Sequence, residues 1–122
     1  MIDKIENLLE NIKLDYLKWQ KAYYKTLDVI DGVEIVNFPD HVKGMIERFN
    51  DGLGYKVGPK YIKITTDNHG SAWGFIVKND FKHFKRGDIL KASSWNQPAL
   101  NQARGNIFET YNIQWTGPRY LN

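Results

Sequence analysis

The chain has 122 residues, a formal net charge of +3, no cysteine, four tryptophans, seven tyrosines and six phenylalanines. That length suits one domain with a core large enough to fold without staples. The missing cysteine excludes disulfides, a thiolate metal site and a cysteine nucleophile.

The charge is unevenly divided. Residues 1–52 hold seven Lys/Arg against ten Asp/Glu, and residues 53–122 hold ten against four. The back half is therefore expected to meet an anion, although each lysine taken singly also fits the solvation of an exposed strand. The N-terminus, MIDKIENLL, mixes acids into its apolar residues and does not read as a signal peptide. No apolar stretch approaches membrane-spanning length, so no membrane association is expected.

Apolar or semi-apolar residues at Ile2, Ile5, Leu9, Ile12, Tyr16, Trp19, Tyr23, Thr26 and Ile30 alternate steps of three and four, and Leu8, Leu14, Leu17 and Leu27 widen the stripe, which predicts one long amphipathic helix. The stripe can pack on the rest of the domain or hold heptad register as a seam between two chains, so a homo-oligomer through the N-terminal helix is one expectation. Gly32 ends this helix, and Val33–Phe38 reads as an extended link. Pro39 and Asp40 suit the first turn of a second helix, with Val42, Met45, Ile46, Phe49 and Leu53 as its stripe.

Residues 1–56 thus read as a helical N-terminal region, a helical hairpin. Residues 57–122 read as a small β-rich domain, the two forming one compact unit. Tyr61–Thr66 and Ala72–Lys78 form a hairpin around the turn cluster DNHG at 67–70. Arg86-Gly87-Asp88 is a turn, and Asp88–Ala92 a third strand. Pro98–Arg104 has helical spacing through Ala99, Leu100 and Ala103. Asn106–Trp115 resumes strand character. The expected fold class is α+β: an N-terminal helical hairpin, then a small, mainly antiparallel β-sheet with one short helix.

Ser94–Asn106, SWNQPALNQARGN, is too rich in hydrogen-bonding groups for a core segment. Trp95 can cover the core from a strand end or stack on a planar ring. Arg104 can favour a helix dipole as a last-turn residue, with Gly105 as the left-handed cap. It can instead present a guanidinium fork to phosphate, with Asn106 adding an amide and Gly105 allowing close approach. Lys91 lies near in sequence, and Arg119 offers a second cation on the tail RYLN. Trp73 and Trp115 read as core. The candidate ligand-binding residues are Lys91, Trp95, Arg104, Gly105, Asn106 and Arg119.

The runs WGFIV at 73–77, GDILKASSW at 87–95, Pro98-Ala99, ARGNIF at 103–108 and WTGP at 115–118 resemble a group of short bacteriophage proteins. In these a small β domain carries G-D-[IV]-[LYF]-K-x-x-x-W-x-x-P-A followed closely by A-R-G-N. The resemblance covers roughly residues 60–121 and leaves the helical half aside. It implies phage origin and action in the cytoplasm of the infected bacterial host. The motif marks a family more than a chemistry.

His41, His69 and His83 fall in three segments without ligand spacing, and no metal is expected. GxxxxGK[ST], GxSxG and HExxH are absent from the sequence, so neither catalysis nor a cofactor is expected. One function expectation is a non-catalytic phage protein that binds a phosphorylated small molecule, a nucleotide, and sequesters a nucleotide immune signal of the host. One alternative is a single-stranded nucleic-acid or RNA binder with a stacking sheet face. Another is an interaction module that inhibits a host enzyme through the acidic helical half.

Overall fold

The structure is a computed structural model that describes residues 1–24 and 27–118, with backbone only at 27–28 and 34–36. It is α+β, with two helices and a four-stranded antiparallel sheet. Helix α1 spans Ile2–Tyr23, shorter than the periodicity predicts. Its buried face runs through Ile5, Leu8, Ile12, Tyr16 and Gln20. Ile5, Leu8, Ile12 and Tyr16 lie on the expected stripe, but in the last turns the buried position passes to Gln20, leaving Trp19 38% and Tyr23 70% exposed.

The helices are not joined by a simple extended link. Strand β1 (Leu27–Ile30) pairs antiparallel with β2 (Val33–Val36), Ile30 opposite Val33. Asp31 and Gly32 between them have φ of 52° and 78°. Two consecutive left-handed residues, Asp then Gly, are what a type I′ hairpin turn demands. Residues 27–30 are therefore strand, and the local turn chemistry wins over the helical period extrapolated from α1. Helix α2 spans Asp40–Gly52 with Pro39 as its N-cap, as the Pro-Asp signal predicts.

Strand β3 (Gly54–Val57) follows α2 at once and crosses the residue 56/57 boundary expected between the two regions. With β4 (Tyr61–Thr66), β5 (Ser71–Val77) and β6 (Ile89–Lys91) it forms the sheet in the order β3-β4-β5-β6. Ile64 pairs with Gly74, but Thr65 pairs with Ala72, so Trp73 is the extra residue of a bulge. The bulge swings Trp73 to the α1 side, where its Nε1 donates to Gln114 O at 3.0 Å. Ile62, Ile64, Ile76 and Ile89 pack on that same side against Ile5, Leu8 and Ile12 of α1. The opposite face carries Phe75, Val77 and Leu90, covered by Phe84 with Tyr61, Phe81 and Ala103 around it.

The short helix expected at Pro98–Arg104 is not formed. The segment runs extended along the outer edge of β6 instead. Ala99 N donates to Lys91 O at 2.7 Å, Arg104 N to Ile89 O at 2.8 Å, and Ile89 N to Gly105 O at 2.8 Å. An open strand edge needs partners for its N–H and C=O groups, and this segment supplies them at the expense of its own helical bonds. The strand expected over 106–115 shrinks to β7 (Ile113–Gln114), which pairs with β8 (Gly117–Pro118). Among the described residues, no helix is long and apolar enough to cross a membrane.

Candidate ligand-binding site

Trp95 stands at the tip of a tight loop at the end of β6. Ser93 N, Ser94 N and Ser93 Oγ all donate to Gln97 O, at 2.9, 3.1 and 3.0 Å. That closure pushes Trp95 outward, 41% exposed, with Asn96 beside it. Lys63 of β4 reaches across: its Nζ lies 3.8 Å from the Trp95 ring centroid and donates to Asn96 Oδ1 at 3.0 Å. The ammonium is thus fixed against the indole by ring quadrupole and amide together.

Lys63 sits directly opposite Lys56 of β3, so two like charges share one row of the sheet. Such a pair is destabilising on its own. The ion pairs among the described residues are Met1 N with Asp3 and Lys13 with Glu10, all on α1. Neither sheet lysine is neutralised by an acid.

Beside Trp95 opens a cleft of about 380 Å³, walled by Gly70–Ala72 on one side and Ala92–Ser94 on the other. All three of its serines, Ser71, Ser93 and Ser94, are exposed, and among the described residues no carboxylate lines it. Its Gly70 side is shaped by the 67–70 turn, where Asp67, Asn68 and His69 have φ of 55°, 52° and 70°. Three consecutive left-handed residues other than glycine are strained. They are held by Asn68 N donating to Gly52 O at 3.0 Å and by the Thr65 Oγ1–His69 Nδ1 hydrogen bond of 2.9 Å. An acid-free cleft with hydroxyls, an indole and a nearby ammonium can hold a phosphate next to a planar ring.

The sequence-predicted residues are distributed differently from their spacing. Lys91 lines a neighbouring cleft of about 190 Å³ with Trp73 and Pro118; Ala72 and Ala92 belong to both clefts. Arg104 is not part of the Trp95 cleft. Its Nε and Nη1 are shielded from solvent and have no hydrogen-bond partner. Gly105 does not cap a helix. Its φ is +150°, and a Cβ there would stand 2.8 Å from Tyr111 Cβ. Asn106 is occupied within the fold, donating from Nδ2 to Arg86 O and Asp88 Oδ1 and accepting Phe108 N on Oδ1. Arg119 lies outside the described residues.

Lys63, held against Trp95 and Asn96, is the group that sequence reasoning missed. The strand pattern around Ile62 and Ile64 puts Lys63 on the other face of β4. Its meeting with Trp95 depends on pairing β4 with β5 and β5 with β6, which no local motif announces. Among the described residues, no three metal-ligating side chains converge. His69 pairs with Thr65, and His83 Nε2 lies 3.1 Å from Asn101 O.

No protein-family model, curated protein or solved structure matches the chain.

Proposed function

We propose that this protein is a non-catalytic binder of a phosphorylated small molecule with a planar ring, a nucleotide, held at the Trp95 cleft. The observation that carries the reading is the Lys63 ammonium 3.8 Å from a half-exposed indole, beside a cleft that no carboxylate lines among the described residues. The ring stacks on Trp95, the phosphate takes Lys63 and the serine hydroxyls, and Lys91 serves the adjoining hollow. A volume of about 380 Å³ falls within the common range of about 300–1,000 Å³ for small-ligand sites.

A compact ligand is favoured over a long single strand. Phe75 and Leu90 at the centre of that sheet face are buried under Phe84, so no run of open rings is offered for successive bases. On the phage resemblance, the ligand is a nucleotide signal made by the infected host, and the act is sequestration without turnover.

Isothermal titration of the folded chain against mononucleotides, cyclic nucleotides and dinucleotides tests the proposal. At least one should bind with micromolar or tighter affinity, and Lys63→Ala and Trp95→Ala should each weaken it. No binding tighter than about millimolar, a scale on which an affinity is only about 4 kcal/mol, rejects it.

A further inference from the structure

A second hollow, of about 470 Å³, lies between α1 and Ile113–Thr116 and shares no residue with the Trp95 cleft. Its walls include Trp19 and Trp115, whose rings touch with centroids 5.2 Å apart and planes tilted by 52°, so that together they form one angled apolar surface. Behind them the rings are packed. Tyr16 stacks on Phe49 at 4.1 Å and meets Trp115 edge-on at 5.0 Å. Trp115 is therefore fixed from behind, and Trp19 extends the same cluster outward at 38% exposure.

The rim charges are disposed unusually. Asp15 and Lys18 are three residues apart on one helix, the spacing at which Glu10 and Lys13 do pair, at 3.1 Å. Yet no Asp15–Lys18 ion pair is formed. Asp15 Oδ2 instead accepts Trp115 N at 2.8 Å, and both charged residues line the hollow. One carboxylate oxygen and one ammonium are left for something else at the rim of a hollow lined by two indoles.

We infer that this hollow is a second ligand site, for a planar ring that carries both a hydrogen-bond donor and an anionic group. The ring packs, from inside the hollow, on the surface that Trp19 and Trp115 present together. The donor goes to Asp15, and the anion goes to Lys18. A nucleotide and a free aromatic amino acid both carry this chemistry, and they are separated by experiment. The site does not depend on the Trp95 cleft, because its residues are different.

The test uses the full chain labelled with ¹⁵N, in which each tryptophan gives one indole N–H signal, assigned from single Trp→Phe variants. AMP and L-tryptophan are titrated separately. The inference expects the Trp19 and Trp115 signals to move saturably with at least one of them, and the one that acts identifies the source. Trp19→Ala and Lys18→Ala should each weaken the Trp115 response about tenfold, the scale of one lost stacking contact. Trp95→Ala should leave that response unchanged. Trp19 and Trp115 signals that stay fixed with both compounds to millimolar concentration overturn the inference. So does a Trp115 response with wild-type affinity in both the Lys18→Ala and Trp19→Ala variants. Movement of the Trp95 signal alone sinks this site and leaves the proposed function standing, whereas movement of the Trp19 and Trp115 signals alone supports this site independently of the Trp95 cleft.

Discussion

Asn106 and Asp88 are joined side chain to side chain, Nδ2 to Oδ1 at 3.0 Å, and this contact clamps two turns together. Asp88 Oδ2 also accepts Lys85 N at 2.8 Å, and Asn106 Oδ1 accepts Phe108 N at 2.8 Å. The Gly-Asp and Arg-Gly-Asn pieces of the motif are therefore one hydrogen-bonded unit at the edge of β6. Asn106→Ala removes three such bonds and should cost about 2–4 kcal/mol, taking about 1 kcal/mol for each. Urea denaturation should show the lower midpoint with an unchanged slope.

Gly105 is required by space as much as by conformation. With φ at +150° and Tyr111 Cβ 2.8 Å from where a Cβ would stand, Gly105→Ala should destabilise by about 2–3 kcal/mol, the scale of a strained backbone. Thermal melting of Gly105→Ala beside wild type measures it. A loss smaller than that of an ordinary surface substitution would count against this geometry.

Much of the architecture is legible in the sequence where one local signal speaks alone. Pro39-Asp40 begins α2, and the DNHG turn sets the β4–β5 hairpin, as expected from those residues. The departures occur where two signals compete. Thr26 and Ile30 continue the helical period of α1, but Asp31-Gly32 imposes a hairpin turn and β1 takes residues 27–30. Ala99, Leu100 and Ala103 are spaced for a helix, but the free edge of β6 recruits their backbone. The site was half legible: Trp95 is exposed beside a cleft, whereas Lys63 enters by tertiary pairing and Arg104 stands apart from that cleft. Hydropathy places the inner face of α1 through Tyr16 but not its last turns, where Gln20 is fully buried and Trp19 is not.

Gln20 gives a stability prediction. Its Nε2 donates to Tyr16 Oη at 2.9 Å, but its Oε1 is buried without a partner. An unmade buried hydrogen bond costs about 1–3 kcal/mol, and removing both polar partners together avoids leaving another. The double variant Tyr16→Phe/Gln20→Met should equal or exceed wild-type stability by up to about 1 kcal/mol. Tyr16→Phe alone strands the Gln20 amide and should be the less stable of the two in denaturant melts.

Tyr61 gives a prediction in alkali. Burial holds its hydroxyl proton to a higher pH than the ordinary tyrosine value of 10.0. The unfolded chain loses that proton first as pH rises. The stability it contributes is therefore full below the ordinary value and is lost as pH climbs through the raised one. Phenolate absorbance should show a late-titrating component in the folded chain that is absent from Tyr61→Phe. The variant should also lose less stability above pH 10.0 than wild type.

Lys56 and Lys63 face each other across β3 and β4 without an acid between them, an arrangement that stability alone disfavours. If the charge serves an anion, stability and binding should respond in opposite directions. Lys56→Glu converts a repulsive cross-strand pair into an attractive one and should raise stability by about 0.2–1 kcal/mol. The same change draws Lys63 toward Glu and away from Trp95, and it adds negative potential beside the cleft. Nucleotide affinity should therefore fall, and less so in high salt, where surface charges are screened. Paired melts and titrations at low and high salt separate the two effects. A variant that gains stability and keeps full affinity would remove Lys56 from the binding field and leave Lys63 as the cation beside Trp95.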